Sequence, residues 1–137
     1  MPKITTRPAR VEPRVTASRT DILMSIKPEH INYIAQQIKN HEYRKYLLPG
    51  SVKRIWFYTS APLQQVRYVA RISAGKKRGE VEEDGGLGNA EFNAGTKWCP
   101  FAYEILELLE LREPLSLAEL KTRGFAKGPP QKVCGLG

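Results

Sequence analysis

The chain has 137 residues, of which 41% are hydrophobic and 26% charged, and its formal net charge is +8. That is the length of one domain, too short for two independent enzyme domains but long enough to bury a real core. No apolar run approaches the roughly 20 residues of a membrane span, and the N-terminus lacks the apolar stretch of a signal peptide.

Residues 1–20 carry five bases, one acid and three prolines, with no helical period. They are expected to form a basic flexible arm, and residues 21–137 the single folded domain. Asp21–Ile26 is a short apolar run that reads as a buried strand. Pro28 opens a helix expected over 28–39, because proline's missing N–H is unbonded at a first helical position anyway. Ile31, Ile34, Ala35 and Ile38 form its buried stripe, and Asn40 its stop. The alternating stretch 41–46 reads as a half-exposed strand. Arg54–Thr59 is rich in aromatic and β-branched residues and reads as another strand, broken by Ser60-Ala-Pro62. Residues 65–73 alternate, with Val66, Tyr68, Ala70 and Ile72 on one face and Arg67, Val69 and Arg71 on a basic one. The glycine-rich, charged segment 75–88 reads as a flexible lid, with Asn89 and Asn93 as polar contacts and a helical turn at 90–94. Segment 103–113 fits a helix or a strand and stops at Pro114. Ser116 then caps a short helix, with Glu119 completing the capping pattern.

Charge is unevenly distributed. Residues 39–78 hold ten bases against Glu42 alone, whereas 79–119 hold ten acids against two bases. A polyanion partner on one face accounts for this, and so does pairing of the two halves across neighbouring strands. In the first case Lys45, Lys53, Arg67, Arg71, Lys76 and Lys77 are the candidate contacts to a nucleic-acid backbone.

The order of blocks resembles the ASCH family of the PUA-like superfamily. Its signature is Gly-x-Lys-x-x-Glu-x-Arg, matched here by Lys39, Glu42 and Arg44, with Gln37 in the place of the glycine. The segment from Ile55 to Pro62 is similar to a second family block, and Phe101 through Leu120 to the late strand and short helix. The resemblance spans about residues 21–130 and implies a small, partly open β-barrel of mixed and antiparallel strands with short flanking helices, an α+β fold. It also makes 103–113 a strand. Most members of the superfamily bind RNA or modified bases, some bind DNA, and a few ASCH-like proteins hydrolyse an acetylated cytidine nucleoside. Those hydrolases use the signature lysine, a threonine three residues later and a glutamate from another strand. Lys39 matches, and Glu42 stands where the threonine would be.

On a strand, residues 42 and 44 project to one face, where a carboxylate orients a guanidinium and keeps it charged. Lys39 and Arg44 are then expected to hold a phosphate or a base carbonyl while Glu42 accepts an exocyclic N–H. The bland counterpart is a surface ion pair worth about 0–1 kcal/mol. Tyr43 or Tyr58 is expected to be exposed for stacking, with Ser60 and Asn89 as further ligand contacts. His30, His41, Cys99 and Cys134 lack metal-ligand spacing, and the two cysteines make neither a CxxC nor a disulfide framework. Neither metal nor cofactor is expected. The reading is a monomeric, intracellular nucleic-acid-binding module, cytoplasmic or nuclear, that recognises RNA ahead of DNA, or a nucleoside, with no membrane partner. The alternatives are an amidohydrolase using Lys39 and Glu42 on an acylated cytidine-type nucleoside, and a protein-interaction domain of a transcription coregulator.

Deleting residues 1–20 removes four net positive charges. Each phosphate that the arm neutralises contributes about one unit to the salt slope of nucleic-acid binding. The truncated chain should therefore bind with a shallower slope and melt at nearly the same temperature. A large fall in melting temperature would show a packed arm.

Overall fold

The computed structural model describes residues 20–125, so the arm up to residue 19 and residues 126–137 lie outside the described residues. The elements run β1 (Asp21–Ile26), α1 (Pro28–Ala35), β2 (His41–Arg44), β3 (Arg54–Thr59), β4 (Gln65–Ile72), α2 (Asn89–Ala94), β5 (Phe101–Ser116) and α3 (Leu117–Thr122). The strands make one curled sheet in the order β1-β3-β4-β5-β2. β1 runs parallel to β3 and the other pairs are antiparallel. Edge strands β1 and β2 are thus the two margins of a mixed half-barrel. Among the described residues no helix is long and apolar enough to cross a membrane.

Bulges accompany the curl. Arg71 and Ile72 are adjacent on β4 but pair with Glu107 and Ile105 of β5, which leaves Leu106 outside the ladder and 42% exposed. Val66 and Tyr68 pair with Leu115 and Glu110, so β5 makes an excursion over 111–114. Pro114 was expected to end this strand. It is accommodated in the excursion, where no ladder hydrogen bond is asked of it, and β5 continues to Ser116. Extra residues on one strand increase local twist and bend, which turns a flat ladder into a half-barrel.

Both faces of the sheet are covered. Ile55, Phe57, Ala70, Ile72 and Leu108 pack with Ile31 and Ile34 of α1. Tyr58, Val66, Val69, Leu111 and Leu115 pack with Leu120 of α3. Tyr43 and Ala102 pack with Phe92 of α2, Val81 and Cys99. Ser116 caps α3 reciprocally, its Oγ accepting from Glu119 N while Glu119 Oε1 accepts from Ser116 N, each at 3.0 Å.

α1 ends at Ala35, four residues before its expected end at Lys39, and Ile38 is 45% exposed instead of buried. The chain leaves the helix through a Schellman turn: Ile38 N donates to Tyr33 O at 2.9 Å and Gln37 N to Ile34 O at 3.0 Å. Gln37 adopts the left-handed conformation, φ 64°. This is the signature position at which the ASCH pattern has glycine, and glycine enters that region without the Cβ clash. Gln37→Gly should therefore raise stability by about 1 kcal/mol in urea unfolding, and Gln37→Val should lower it. A destabilised glycine variant would show that the glutamine side chain, not its backbone, holds the turn.

Candidate functional site

The Schellman turn delivers Lys39 to the start of β2, and the strand alternates from there. His41 and Tyr43 face one way and Glu42 and Arg44 the other. All four residues of β2 are buried, although it is an edge strand, because the 75–99 segment and α2 cover its outer face.

Glu42 lies between two cations. Its Oε2 meets Arg44 Nη2 at 2.7 Å and its Oε1 meets Lys39 Nζ at 3.1 Å, with side-chain exposures of 8% or less throughout. Arg44 Nη2 also donates to Ser25 O on β1 at 3.0 Å. The three residues are thus no surface ion pair, the bland alternative, but an interior triad of net charge +1 that ties one margin of the half-barrel to the other. Arg44 Nε and Glu42 Oε1 are both buried without a hydrogen-bond partner among the described residues, so the Lys39 contact to Oε1 is an ion pair and not a well-aligned hydrogen bond. Burial pushes the Glu42 carboxyl up, but the charges of Lys39 and Arg44 outweigh it and hold the group below its ordinary value. Lys39 Nζ also lies 3.3 Å from His30 Nδ1. Burial and Lys39 lower the pKa of His30, so the imidazole accepts from the ammonium in its neutral form.

The other expected ligand residues are placed differently. Neither Tyr43 (7% exposed) nor Tyr58 (1%) is open for stacking. Tyr58 belongs to the core beneath α3, and burial pushes its phenol up. The Tyr43 hydroxyl donates to Asn89 Oδ1 at 2.5 Å, and the Lys39 and Lys97 ammonium groups stand 5.5 and 5.0 Å from its ring centroid. Asn89 is buried at the start of α2. It donates to Asn40 Oδ1 at 2.9 Å and to Asp84 Oδ1 at 3.2 Å, while Asn40 donates to both Asp84 oxygens. The expected lid is therefore latched to β2. Gly86 closes that latch, where an added Cβ would stand 2.6 Å from Asn40 Oδ1 and from Asn89 Nδ2. Ser60 follows β3 in the turn, half-buried, and its amide donates to Ile26 O, one residue past Arg44's acceptor Ser25.

The basic residues do not converge on one patch. Arg67 pairs with Glu110 at 2.8 Å, Arg71 with Glu107 at 3.3 Å and Lys76 with Glu104 at 2.9 Å, so β4 and the segment after it are neutralised by β5. Cross-strand pairing is where much of the charge asymmetry goes. Lys53 is exposed before β3, and Lys77 is exposed in the segment before α2. Lys45 is exposed just after β2, its ammonium 5.8 Å from the Tyr46 ring and 5.4 Å from the Trp98 ring. Tyr46, Lys97 and Trp98 were absent from the sequence-derived site. The only sequence signal was an aromatic next to a lysine in a segment without hydrophobic period. Cys99 takes part in a disulfide, against the expectation from cysteine spacing, and Cys134 lies outside the described residues.

No family model matches the sequence, and no curated protein matches it. Among solved structures, the ASCH protein of Zymomonas mobilis superposes with a TM-score of 0.57 at 21% identity, over 88% of this chain and 90% of that one. A serine-to-alanine mutant of that protein gives 0.60 at 23% identity over 87% and 89%. A tyrosine-to-phenylalanine mutant gives 0.62 at 21% identity over 87% and 91%. The fold is therefore ASCH-like, a PUA-like half-barrel.

His41 makes the site's surroundings sensitive to acid. It is 2% exposed, with Nδ1 2.8 Å from Asn40 Oδ1 and Nε2 3.1 Å from Lys76 Nζ. Burial and the Lys76 charge lower its pKa from 6.5 to about 4. Between those values the unfolded chain takes up a proton that the folded chain refuses, so stability is full above pH 6.5 and falls as pH drops toward 4. The contribution of one such group is at most about 1.4 kcal/mol per pH unit. Urea unfolding across this window should show the slope, and His41→Gln should flatten it, leaving the smaller contribution of His30. An unchanged slope would clear His41 as its source.

Proposed function

We propose that the chain is a nucleotide-recognition module, acting on RNA or on a modified nucleotide, in which Lys39 and Arg44 hold a phosphate or base carbonyl and Glu42 fixes their geometry. The observation that carries the reading is the interior Lys39–Glu42–Arg44 triad, with its net positive charge and the unpartnered Nε of Arg44. A triad serving closure alone gains nothing from the extra charge, and apolar residues of similar volume close such an interior as well or better. An anionic or carbonyl-bearing ligand supplies what the triad lacks. The donors are already oriented, so little side-chain entropy is lost on binding. The ASCH-like fold agrees with this reading, since the superfamily it resembles mostly binds RNA or modified bases.

Glu42 also bears on the hydrolase alternative. A carboxylate held ionised by two cations is a poor proton donor and a weakened base, and it stands where the hydrolase pattern has a hydroxyl. Recognition without turnover is what this arrangement serves.

The variants keep volume so that no cavity is added, but Lys39→Met and Glu42→Gln each remove one charge of a buried set, which costs about 3–5 kcal/mol and can unfold a domain, so the folded state is checked for each. Binding of nucleoside monophosphates and of short RNA is measured at fixed salt, with melting temperature as the control. Lys39→Met should weaken all ligands alike, as expected of a phosphate contact. Arg44→Lys should cost about 1–3 kcal/mol and relax base preference, because the planar fork is lost. Glu42→Gln adds one positive charge and should tighten phosphate binding while blurring base choice. Folded variants that bind every ligand like the parent would overturn the proposal. Turnover of an acylated cytidine, abolished by Lys39→Met, would favour the hydrolase instead.

A further inference from the structure

Among the described residues, the two most exposed large apolar side chains are Trp98 (74%) and Tyr46 (64%). They come from different parts of the chain, yet one ammonium, that of Lys45, lies within 6 Å of both ring centroids. Both are mounted beside fixed backbone. Tyr46 lies two residues beyond buried Arg44, and its carbonyl accepts from the Tyr103 hydroxyl at 3.3 Å. Trp98 sits between Lys97, whose carbonyl accepts from Arg78 Nη2 at 3.0 Å, and Cys99, which is buried at 7% exposure. Leaving a tryptophan this exposed forgoes the stabilisation of burying its large apolar surface, and the described residues supply no packing reason for it.

We propose that Trp98, Tyr46 and Lys45 form a stacking platform for an unpaired nucleobase of a single-stranded nucleic acid, next to the nucleotide held at the triad. The inference rests on the recognition reading above and extends it from one nucleotide to a strand. The chemistry is complementary on two counts. A base stacks on an indole or phenol face whatever its identity, and the Lys45 ammonium beside the rings meets the flanking phosphate. A purely apolar occupant would instead bury that ammonium without a counter-charge. The platform is also continuous with the triad. Lys97 precedes Trp98 and lies over the Tyr43 ring, Lys39 lies near the same ring, and Arg44 precedes Lys45. Three acids act on Tyr43, the first being Glu42 of the triad. Glu91 lies on α2, and Asp84 is already engaged with Asn40 and the Gly86 amide. A duplex would not use the platform, because its bases present no free faces except at the ends.

The experiment titrates the whole chain with short oligouridine, with the corresponding duplex and with uridine monophosphate, all at one salt concentration. The fluorescence of Trp98 is read in a Trp56→Phe background, which leaves a single tryptophan. Oligouridine should quench that emission. Trp98→Ala should weaken oligouridine binding about 5- to 100-fold and leave the monophosphate unchanged, Trp98→Phe should restore most of the loss, and Tyr46→Ala should have a smaller effect in the same direction. If Trp98→Ala and Tyr46→Ala bind oligouridine like the parent while Arg44→Lys still weakens it, the platform is wrong and the triad reading stands. If no nucleotide or strand binds the parent, both fall. Equal affinity for duplex and single strand overturns the platform. So does sedimentation showing a dimer that Trp98→Ala dissociates, with strand binding untouched, because the face would then belong to a second copy of the chain.

Discussion

The half-barrel has two free margins, and one guanidinium spans them. Arg44 projects from β2 and donates to the carbonyl of Ser25 on β1, while Glu42 holds it from the same strand face. No ladder of backbone hydrogen bonds joins the two edge strands among the described residues. A side chain thus stands where a closed five-stranded barrel would have its fifth strand pairing. An edge strand left with unpaired N–H and C=O groups is a template for unwanted pairing. Short β2, buried on all four residues and tied to β1 through Arg44, does not offer that template. The cost is electrostatic, because two cations and one anion must leave water, and their attraction offsets this only with close geometry. The 2.7 Å contact to Arg44 meets that demand, whereas the 3.1 Å contact to Lys39 is an ion pair that leaves Glu42 Oε1 without a hydrogen bond, and one positive charge stays uncompensated in the interior.

That excess contrasts with the outer faces of β4 and β5, where Arg67, Arg71 and Lys76 are matched by Glu110, Glu107 and Glu104. These pairs are largely exposed and contribute little stability each. Their effect is on the field. They cancel the basic middle of the chain against its acidic successor, so the large segment charges do not add into one positive surface. Positive charge without a local acid is left at the triad and at lysines such as Lys45. Long-range attraction of a polyanion is therefore weaker than the net charge alone suggests, and short-range recognition matters more.

Much of the fold was legible because hydrophobic period and strand composition are local signals. Arg54–Thr59 and Asp21–Ile26 were read with their observed bounds, and the Ser116 capping box was visible from spacing alone. Segment 103–113 was different. Its leucines satisfy helical and strand periods together, and only the family resemblance selected the strand. The errors come from tertiary constraints that no window contains. Helix α1 stops early because Gln37 turns left-handed, which an amphipathic stripe ending in Ile38 does not reveal. Tyr43 looked exposed because alternation assumes one solvent face, whereas α2 and Val81 cover that face from 38 or more residues away along the chain. The triad's residues were found, but their burial was not. Trp98 was missed because its neighbours carry no period at all.

Tyr43 explains why the covering segment is latched and does not behave as a lid. Its hydroxyl is fixed by Asn89, and Asn89 is fixed in turn by Asn40 and Asp84. Its ring has two lysines of like charge near it, Lys39 of the triad and Lys97 beside Trp98. An aromatic face attracts a cation, so one ring accommodates both ammonium groups and offsets part of their mutual repulsion. If the latch opened, the ring would lose its position, Lys39 would lose an aromatic neighbour, and Glu42 would have to hold both cations unaided. The order of the 80–89 segment and the geometry of the triad are therefore one constraint seen from two sides of β2. A glycine at 86 is what lets that segment come close enough to impose it.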